Sequence, residues 1–272
     1  MSAADTADAA GCRWDPKEYA KHSSAQMLWA EELIAKLDIE GSEAVLDIGC
    51  GDGTVTAALA RRVPRGEVVG IDSSEDMVAM ARSAFPAESF PGLSFQRADA
   101  RALPFEDRFD VAFSNATLHW VKDQAAVLRG VARALKKGGR LLFQMGGKGN
   151  AAEVIEVVNA MVSEGPWKRF FDDFPFPWSF CGPQEYRIWC AAAGFIVRRA
   201  ELLPKDMRQE GKAGLAGWVR TTWMPYTERV PAGMRELFIS EVVDRYVLDH
   251  PPDTRGAVTV RMVRLEIEAG KG

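Results

Sequence analysis

Histidine and cysteine are scarce in this chain, positive charge is not in surplus, and no long apolar run occurs. Each shortage removes a class of function. The 272 residues include only 3 histidines and 4 cysteines. Cys12, Cys50, Cys181 and Cys190 form no CxxC pair and have no histidine at zinc spacing, which argues against a structural zinc site or a dithiol redox motif. They read as free thiols of a reducing compartment. His22, His119 and His250 stand apart among scattered acids, so no metal is expected. Lys and Arg total 34 against 38 Asp and Glu, a formal charge of −4. Such a balance offers no general positive field for a phosphate backbone, and a nucleic-acid partner is not expected. No uncharged apolar stretch approaches the ~18 residues that a membrane span needs, and the opening MSAADTADAAGC has no basic start followed by an apolar core. The expectation is a cytoplasmic protein without a membrane partner, a monomer or weak homodimer, with a frayed tail over residues 1–13.

What is present is a hydrophobic content of 47%, enough for a full core. The segment SSAQMLWAEELIAKL places Met27, Ala30, Ile34 and Leu37 at helical spacing. From Ala44 onward, short apolar strands alternate with helices: AVLDI, TVTAALARRV, EVVGID, SEDMVAMARSAF, LSFQRAD, FDVAFSN, DQAAVLRGVARALKKGG and RLLFQMG. Strands this apolar have both faces covered, which predicts an α/β fold with a largely parallel sheet between two helical layers. Ser73, with Asp76 three residues on, reads as a capping-box start, and Gly138-Gly139 as the stop of a helix whose last turn carries Lys136 and Lys137. The stretch from Gly165 to Tyr186 holds four prolines and many aromatics and fits no sheet element. We read one domain over residues 14–272, with a helical and aromatic cap inserted at about 147–193 and 205–255.

The stretch VLDIGCGDGTVT, Val45 to Thr56, lies where the first strand turns into its helix. Ligands of open parallel sheets bind outside the carboxyl ends of the strands at such a point. Gly49, Gly51 and Gly53 remove side chains there, and the following helix presents unsatisfied N–H groups. A dinucleotide fingerprint G-x-G-x-x-G needs glycine at position 54, where this chain has Thr54. The second strand ends in Asp72, about 20 residues past the glycines, where a carboxylate can accept both hydroxyls of a ribose. The third ends near Asp99, flanked by Ala98 and Ala100, which leave room for a purine ring beside an acceptor for its amino group. The fourth ends in FSNATLHW.

The set VLDIGCGDGT, VVGIDSSEDMVAMAR, FQRADARALPF and FDVAFSNATLHWV resembles the class I S-adenosylmethionine (AdoMet)-dependent methyltransferases over nearly the whole chain. The resemblance implies a Rossmann-like seven-stranded mixed sheet with a reversed last strand, for which AVTVRMVRLEIEA is the candidate, and AdoMet as cofactor. By the same likeness Asp47, Gly49, Cys50 and Gly51 border the methionine part of the cofactor. Asp72 and Ser73 hold the ribose, Met77 packs on adenine, Asp99 and Ala100 meet its amino group, and Asn115 lies near the amino-acid end.

WDPKEYAKHSSAQ and NATLHWVKD look most like the trans-aconitate methyltransferases, which methylate small carboxylic acids, while LDIGCGDGTVT and LHWV also resemble the juvenile hormone acid methyltransferases. This likeness implies that Trp14, Tyr19, Ser23 and Gln26 close over the cofactor and a small-molecule acceptor. His119 stands where the aconitate group usually carries glutamine. It either orients the acceptor beside Trp120 or, for an amine or phenol, serves as base. Trp167, Trp178, Trp189, Trp218 and Trp223 are candidates for an apolar pocket, and Arg220 and Arg187 for holding a carboxylate; core packing and a solvated arginine are the plainer alternatives. A cofactor-binding module without turnover is the non-enzymatic alternative.

Overall fold

The alternation of period-two and period-3.6 segments becomes, in the computed structural model, an open twisted sheet with helices against it. The structure describes residues 24–272, with side chains from residue 27 onward. Two compact units are formed: Gln26–Lys148, Trp178–Leu203 and Arg264–Gly272 make the first, and Gly149–Pro177 with Pro204–Val263 belong to the second.

The sheet unit begins with helix α1 (Ser24–Ile34) and continues with β1 (Ala44–Ile48), α2 (Thr54–Arg62), β2 (Glu67–Asp72), α3 (Glu75–Ala84), β3 (Leu93–Arg97), β4 (Phe109–Asn115), α4 (Gln124–Ala134) and β5 (Leu135–Gly146). The second unit then supplies α5 (Ala152–Ser163), after which α6 (Pro183–Ala192) and β6 (Phe195–Pro204) follow. The chain goes on through β7 (Met207–Gln209), α7 (Gly211–Thr222), α8 (Met224–Thr227), α9 (Arg235–Asp249) and β8 (Val258–Val260), and β9 (Val263–Lys271) completes the sheet.

The strand order is β3-β2-β1-β4-β5-β9-β6. β1 runs parallel to β2 and β4, β3 to β2, and β5 to β4. β9 alone is paired antiparallel to β5 among the registered pairs of this sheet, from Arg140↔Gly270 to Gly146↔Arg264. The order reverses between β1 and β4, the switch point beside which ligands bind in such sheets.

Both faces are covered, as the apolar strands require. On one face α4 and α6 set Val127, Leu128, Val131, Tyr186 and Cys190 against Ile48, Phe143, Leu265 and Ile267. On the other, α1, α2 and α3 bring Leu33, Ile34, Ala57, Leu59 and Val78 onto Val45, Val111, Phe113 and Leu142. Each fully buried aliphatic or aromatic side chain contributes about 1.5–3 kcal/mol relative to exposure. The strands that carry the glycine turn are therefore held by burial on both faces.

Four local features differ from the sequence reading. The N-cap of α3 is Ser74, whose Oγ accepts from the Met77 N–H at 3.3 Å; Ser73 lies one residue too early because Asp72 already accepts from the Ser74 N–H. Helix α4 stops at Ala134, so Lys136 and Lys137 are not its last turn. Leu135 pairs with Phe109, and Lys136 Nζ meets both carboxylate oxygens of Asp110 at 3.0 and 2.9 Å, which draws the chain into the sheet before the two glycines. The run AVTVRMVRLEIEA is two strands: Val258–Val260 pairs with β7 in a separate two-stranded sheet, and only Val263–Lys271 joins β5. Residues 178–193, assigned to the cap from sequence, lie with the sheet unit, where Tyr186 and Cys190 of α6 are fully buried.

The second unit has its own aromatic core. Trp167 donates its indole N–H to Glu241 at 2.7 Å and meets Phe238 edge-on at 5.1 Å, while Phe171 stacks on Phe238 at 5.8 Å. Helix α5 was not anticipated, although Val154, Val158 and Met161 fall at helical spacing and are buried.

Candidate functional site

Strand β1 is buried along its whole length, and Asp47 is its one charged residue, 2% exposed. The carboxylate accepts from the Thr56 hydroxyl of α2 at 2.7 Å. Burial pushes its pKa up to about 7, with the Thr56 hydrogen bond opposing and the charge of Asp72 adding. Asp47 is therefore poised between its two protonation states near neutral pH.

After Ile48 the chain makes a turn in which Gly49, Gly51 and Gly53 all have positive φ, at 78°, 53° and 84°. The N–H groups of Gly49 and Cys50 both donate to the Ile71 carbonyl, at 2.7 and 2.9 Å, and so fasten the turn to the end of β2. A Cβ on Gly49 would fall 2.0 Å from Thr117, and one on Gly53 would strike Phe95 and Ala81 below 3 Å. Among the described residues, a Cβ on Gly51 would meet nothing within 4 Å. Protein atoms fill the space beside the outer two glycines, whereas the middle one borders an open cradle at the N-terminus of α2. The Cys50 thiol is buried and pushed upward by burial, with the charges of Asp47 and Asp72 adding, which leaves it inert as a nucleophile.

Asp72 ties this turn to the next. Its Oδ2 accepts from the Gly51 N–H at 3.1 Å and its Oδ1 from the Ser74 N–H at 2.9 Å. Burial raises its pKa against the pull of these backbone donors. The Ser73 carbonyl accepts from Arg97 Nε, and Met77 is buried in the first turn of α3. Beyond β3, the Ala98 N–H donates to the Asp72 carbonyl. Asp99 forms a two-pronged pair with Arg101, at 2.7 Å at its shortest, and both side chains are about two-fifths exposed. Ala100 follows directly. Asp47, the glycine turn, Asp72, Ser73, Met77 and Asp99 with Ala100 thus line the carboxyl ends of β1, β2 and β3.

At the end of β4, Asn115 is in register with Gln144 of β5. Ala116 takes a positive φ of 56° and donates its N–H to the Gln144 carbonyl at 2.8 Å. The kink leads into a single 3-10 turn, Leu118–Trp120. His119 is buried there, and its Nδ1 accepts from the Gly146 N–H at 3.3 Å. Burial, with the charge of Arg264 adding, lowers its pKa to about 3. An imidazole that accepts at Nδ1 carries its proton on Nε2, so His119 is a neutral donor in this setting. Trp120 packs on His119 at 5.6 Å and edge-on against Trp178 at 5.7 Å, and Trp178 stacks on Phe180 at 5.6 Å. Trp178 was among the tryptophans that the sequence offered for an apolar pocket, but sequence reasoning singled out neither Phe180 nor the hydroxyls of Thr56 and Thr117 that brace Asp47 and Gly49. Proximity of Thr56 to the glycine motif was the one available signal.

The remaining sequence candidates fall elsewhere. Trp218 and Trp223, each 3% exposed, meet edge-on at 5.6 Å inside the core of the second unit. Their apolar surface is already spent on that core, which corrects the expectation of a pocket lining. Arg220 of α7 is committed to Glu236 of α9 at 2.8 and 2.6 Å, with both side chains exposed; an exposed ion pair of this kind is not a buried carboxylate anchor. Trp14, Tyr19 and Ser23 lie outside the described residues, and Gln26 is described only as backbone of α1. Among the described residues no group of three or more potential ligands could hold a metal ion, and no helix is long and apolar enough to cross a membrane.

Sheet order, reversed strand and glycine turn define a Rossmann-like cofactor-binding α/β protein. Comparison with known proteins agrees. A family model described as a methyltransferase domain matches residues 46–143. An uncharacterized methyltransferase of Schizosaccharomyces pombe is 35% identical over 208 residues, 72% of this chain and 78% of its own length. A trans-aconitate 2-methyltransferase of Methylobacterium radiotolerans is 30% identical over 266 residues, 95% of this chain and 98% of its own. Among solved structures, an S-adenosylmethionine-dependent methyltransferase from Mesorhizobium loti superposes with a TM-score of 0.52 at 21% identity, over 91% of this chain and 98% of its own. Haemonchus contortus phospholethanolamine N-methyltransferase 2, solved with S-adenosylhomocysteine, gives 0.60 at 18% identity, over 94% of this chain and 56% of its own. The chain belongs to the class I AdoMet-dependent methyltransferases, and it is an enzyme of that class with AdoMet as its cofactor.

Proposed function

We propose that the chain methylates a carboxylate oxygen of a small organic acid. The observation that carries this reading is the hydrogen bond from the Gly146 N–H to Nδ1 of buried His119. Among the described residues it leaves His119 as a neutral donor and not a base, which suits a nucleophile that arrives already deprotonated. A carboxylate, with a pKa near 4, does so at neutral pH, whereas an amine or phenol would need a base. The relatedness to trans-aconitate 2-methyltransferases supports the same class of acceptor.

In this reading Asp47, Gly49, Cys50 and Gly51 border the methionine part of the cofactor, and Gly51 gives it room to approach the backbone. Asp72, fixed by the Gly51 and Ser74 N–H groups, keeps further lone pairs for the ribose hydroxyls, beside Ser73. Met77 packs on the adenine, Asp99 and Ala100 meet its amino edge, and Asn115 stands at the amino-acid end. When bound, AdoMet supplies an electrophilic methyl on a sulfonium. His119 orients the acceptor oxygen through its Nε2–H, and Trp120 with Trp178 shields that side from water. Transfer to an ionised carboxylate would form the O–C bond as the S–C pair returns to sulfur and would leave no proton for the chain to move, so His119 has only to hold the oxygen in line.

The test is methyl transfer by the purified protein to a panel of small acids, amines and phenols, measured from pH 6 to 9. Turnover on acids with a rate nearly flat across that range supports the reading. Turnover confined to amines or phenols, rising with pH, sinks it.

A further inference from the structure

We propose that Gln124 and Tyr186 are positioning residues for methyl transfer, holding the turn that carries His119 so that its Nε2–H meets the acceptor. The assignment rests on the orienting role given to His119 above. Asp123 sets the geometry by capping α4, its side chain accepting from the Ala126 N–H at 2.8 Å. Gln124 is thereby the first residue of the helix, and its side chain reaches back over the 3-10 turn. The amide nitrogen donates to the Leu118 carbonyl and to the Val121 carbonyl, each at 2.6 Å. These two carbonyls bracket His119 and Trp120.

An amide nitrogen carries two protons, and both are used here. Turned over, the amide would set its oxygen against two carbonyl oxygens, so Oε1 faces the other way. There it accepts from the Tyr186 hydroxyl of α6. Burial, with the charges of Cys181 and Cys190 adding, pushes the Tyr186 phenol well above its ordinary range, and it stays a donor. Its oxygen also lies 3.0 Å from the sulfur of Met145, the residue before Gly146, whose N–H holds the His119 ring. Tyr186 thus touches both supports of the imidazole, the amide that fixes its turn and the strand end that fixes its ring. A further hold comes from the Ser179 N–H, which donates to the His119 carbonyl at 2.7 Å.

Gln124 is 2% exposed and Tyr186 is fully buried. A buried amide is costly unless each polar atom has a partner, and in Gln124 each one has. A network satisfied in this way favours a single arrangement. What it arranges is a donor beside an in-line displacement, where a misplacement of about 1 Å can cost about 100-fold in rate.

The experiment uses Tyr186→Phe, which deletes only the hydroxyl, and Gln124→Met, which keeps the length of the side chain and deletes the amide. The full chain has 3 histidines, so the ring nitrogens are read directly by nitrogen-15 NMR. Native His119 shows the Nε2–H tautomer alone. In each variant it averages between the two tautomers, and hydrogen exchange at the Gly146 amide quickens at least about tenfold. On whichever acceptor of the panel above turns over fastest, kcat per AdoMet-binding site falls about 10- to 100-fold, while AdoMet affinity by calorimetry stays within about twofold. Because Tyr186 acts through Gln124, adding Tyr186→Phe to Gln124→Met costs nothing further, and in a His119→Ala background neither substitution slows kcat by more than about twofold. A native tautomer and a native kcat per site in Tyr186→Phe overturn the proposal. So does a full-sized additional loss in the His119→Ala background, which would mark the pair as structural. His119→Ala turning over at the native rate removes the orienting role and the proposal with it, whereas turnover on amines or phenols but on no acid fails the carboxylate reading alone.

Discussion

Thr117 and Gly49, 68 residues apart, are locked together: the Thr117 hydroxyl donates to the Gly49 carbonyl at 3.1 Å, and a Cβ on Gly49 would land 2.0 Å from the threonine methyl. The turn that ends β1 is therefore clamped by the turn that ends β4, and the two strand ends around the cofactor cradle move as one piece.

Gly49→Ala and Gly51→Ala are expected to separate stability from binding. At Gly49 the positive φ and the collision with Thr117 act together, and about 2–5 kcal/mol of stability is lost. At Gly51 the backbone conformation alone costs about 1 kcal/mol, but the methyl group intrudes on the open cradle and AdoMet affinity drops at least about tenfold. Thermal melts and calorimetric titration of the two variants read these effects independently. Equal destabilisation by both would mean that the cradle is packed like the rest of the turn.

Asp47 is expected to couple cofactor binding to pH. Its pKa is raised to about 7 by burial, so the stabilisation it contributes is present in full below its ordinary pKa near 3.8 and is lost as pH rises through 7. AdoMet carries a sulfonium and an ammonium, and either charge nearby favours the ionised carboxylate. Binding near pH 6 to 7 should then release up to about one proton, and affinity should climb with pH to about 8. Calorimetry in buffers of different ionisation enthalpy measures the release. Asp47→Asn, which keeps an oxygen for Thr56, should show none.

For His119 the sign is opposite. Burial lowers its pKa to about 3, so the unfolded chain binds a proton that the native state refuses between about 6.5 and 3. Stability falls as pH drops through that window, by about 1.4 kcal/mol per pH unit from this residue alone. In His119→Gln the amide oxygen can still accept from Gly146 and the proton cannot bind, so the variant loses less stability than the native protein between pH 7 and 4.5. Parallel melts at those two pH values check it. Identical shifts in both proteins would mean that His119 titrates normally.

The strands β1 to β5 and the glycine turn were legible because local rules govern them: apolar runs of five to seven residues, turn glycines, and acids placed at strand ends. Asp72 shows the limit of that legibility. Its position at the end of β2 follows from sequence, but its grip on the Gly51 N–H exists only once β2 lies beside β1. Glu266 lies 230 residues from its partner Lys36, so neither it nor Arg264 gave any sign in an alternating strand of its place in the fold. Trp218 and Trp223 misled for a related reason. A tryptophan that lines a pocket and one that fills a core look alike until the packing is known.

The reversed strand also dictates an order of assembly. β6 ends at Pro204, yet its neighbour in the sheet is β9, which begins at Val263. Until that later strand arrives, β5 ends the parallel array and β6 has no seat in it. Closing the gap requires the intervening stretch to be traversed first, a non-local contact whose loop entropy is met late. During that interval β5 is an open strand edge of largely apolar sequence, the kind that pairs with other chains.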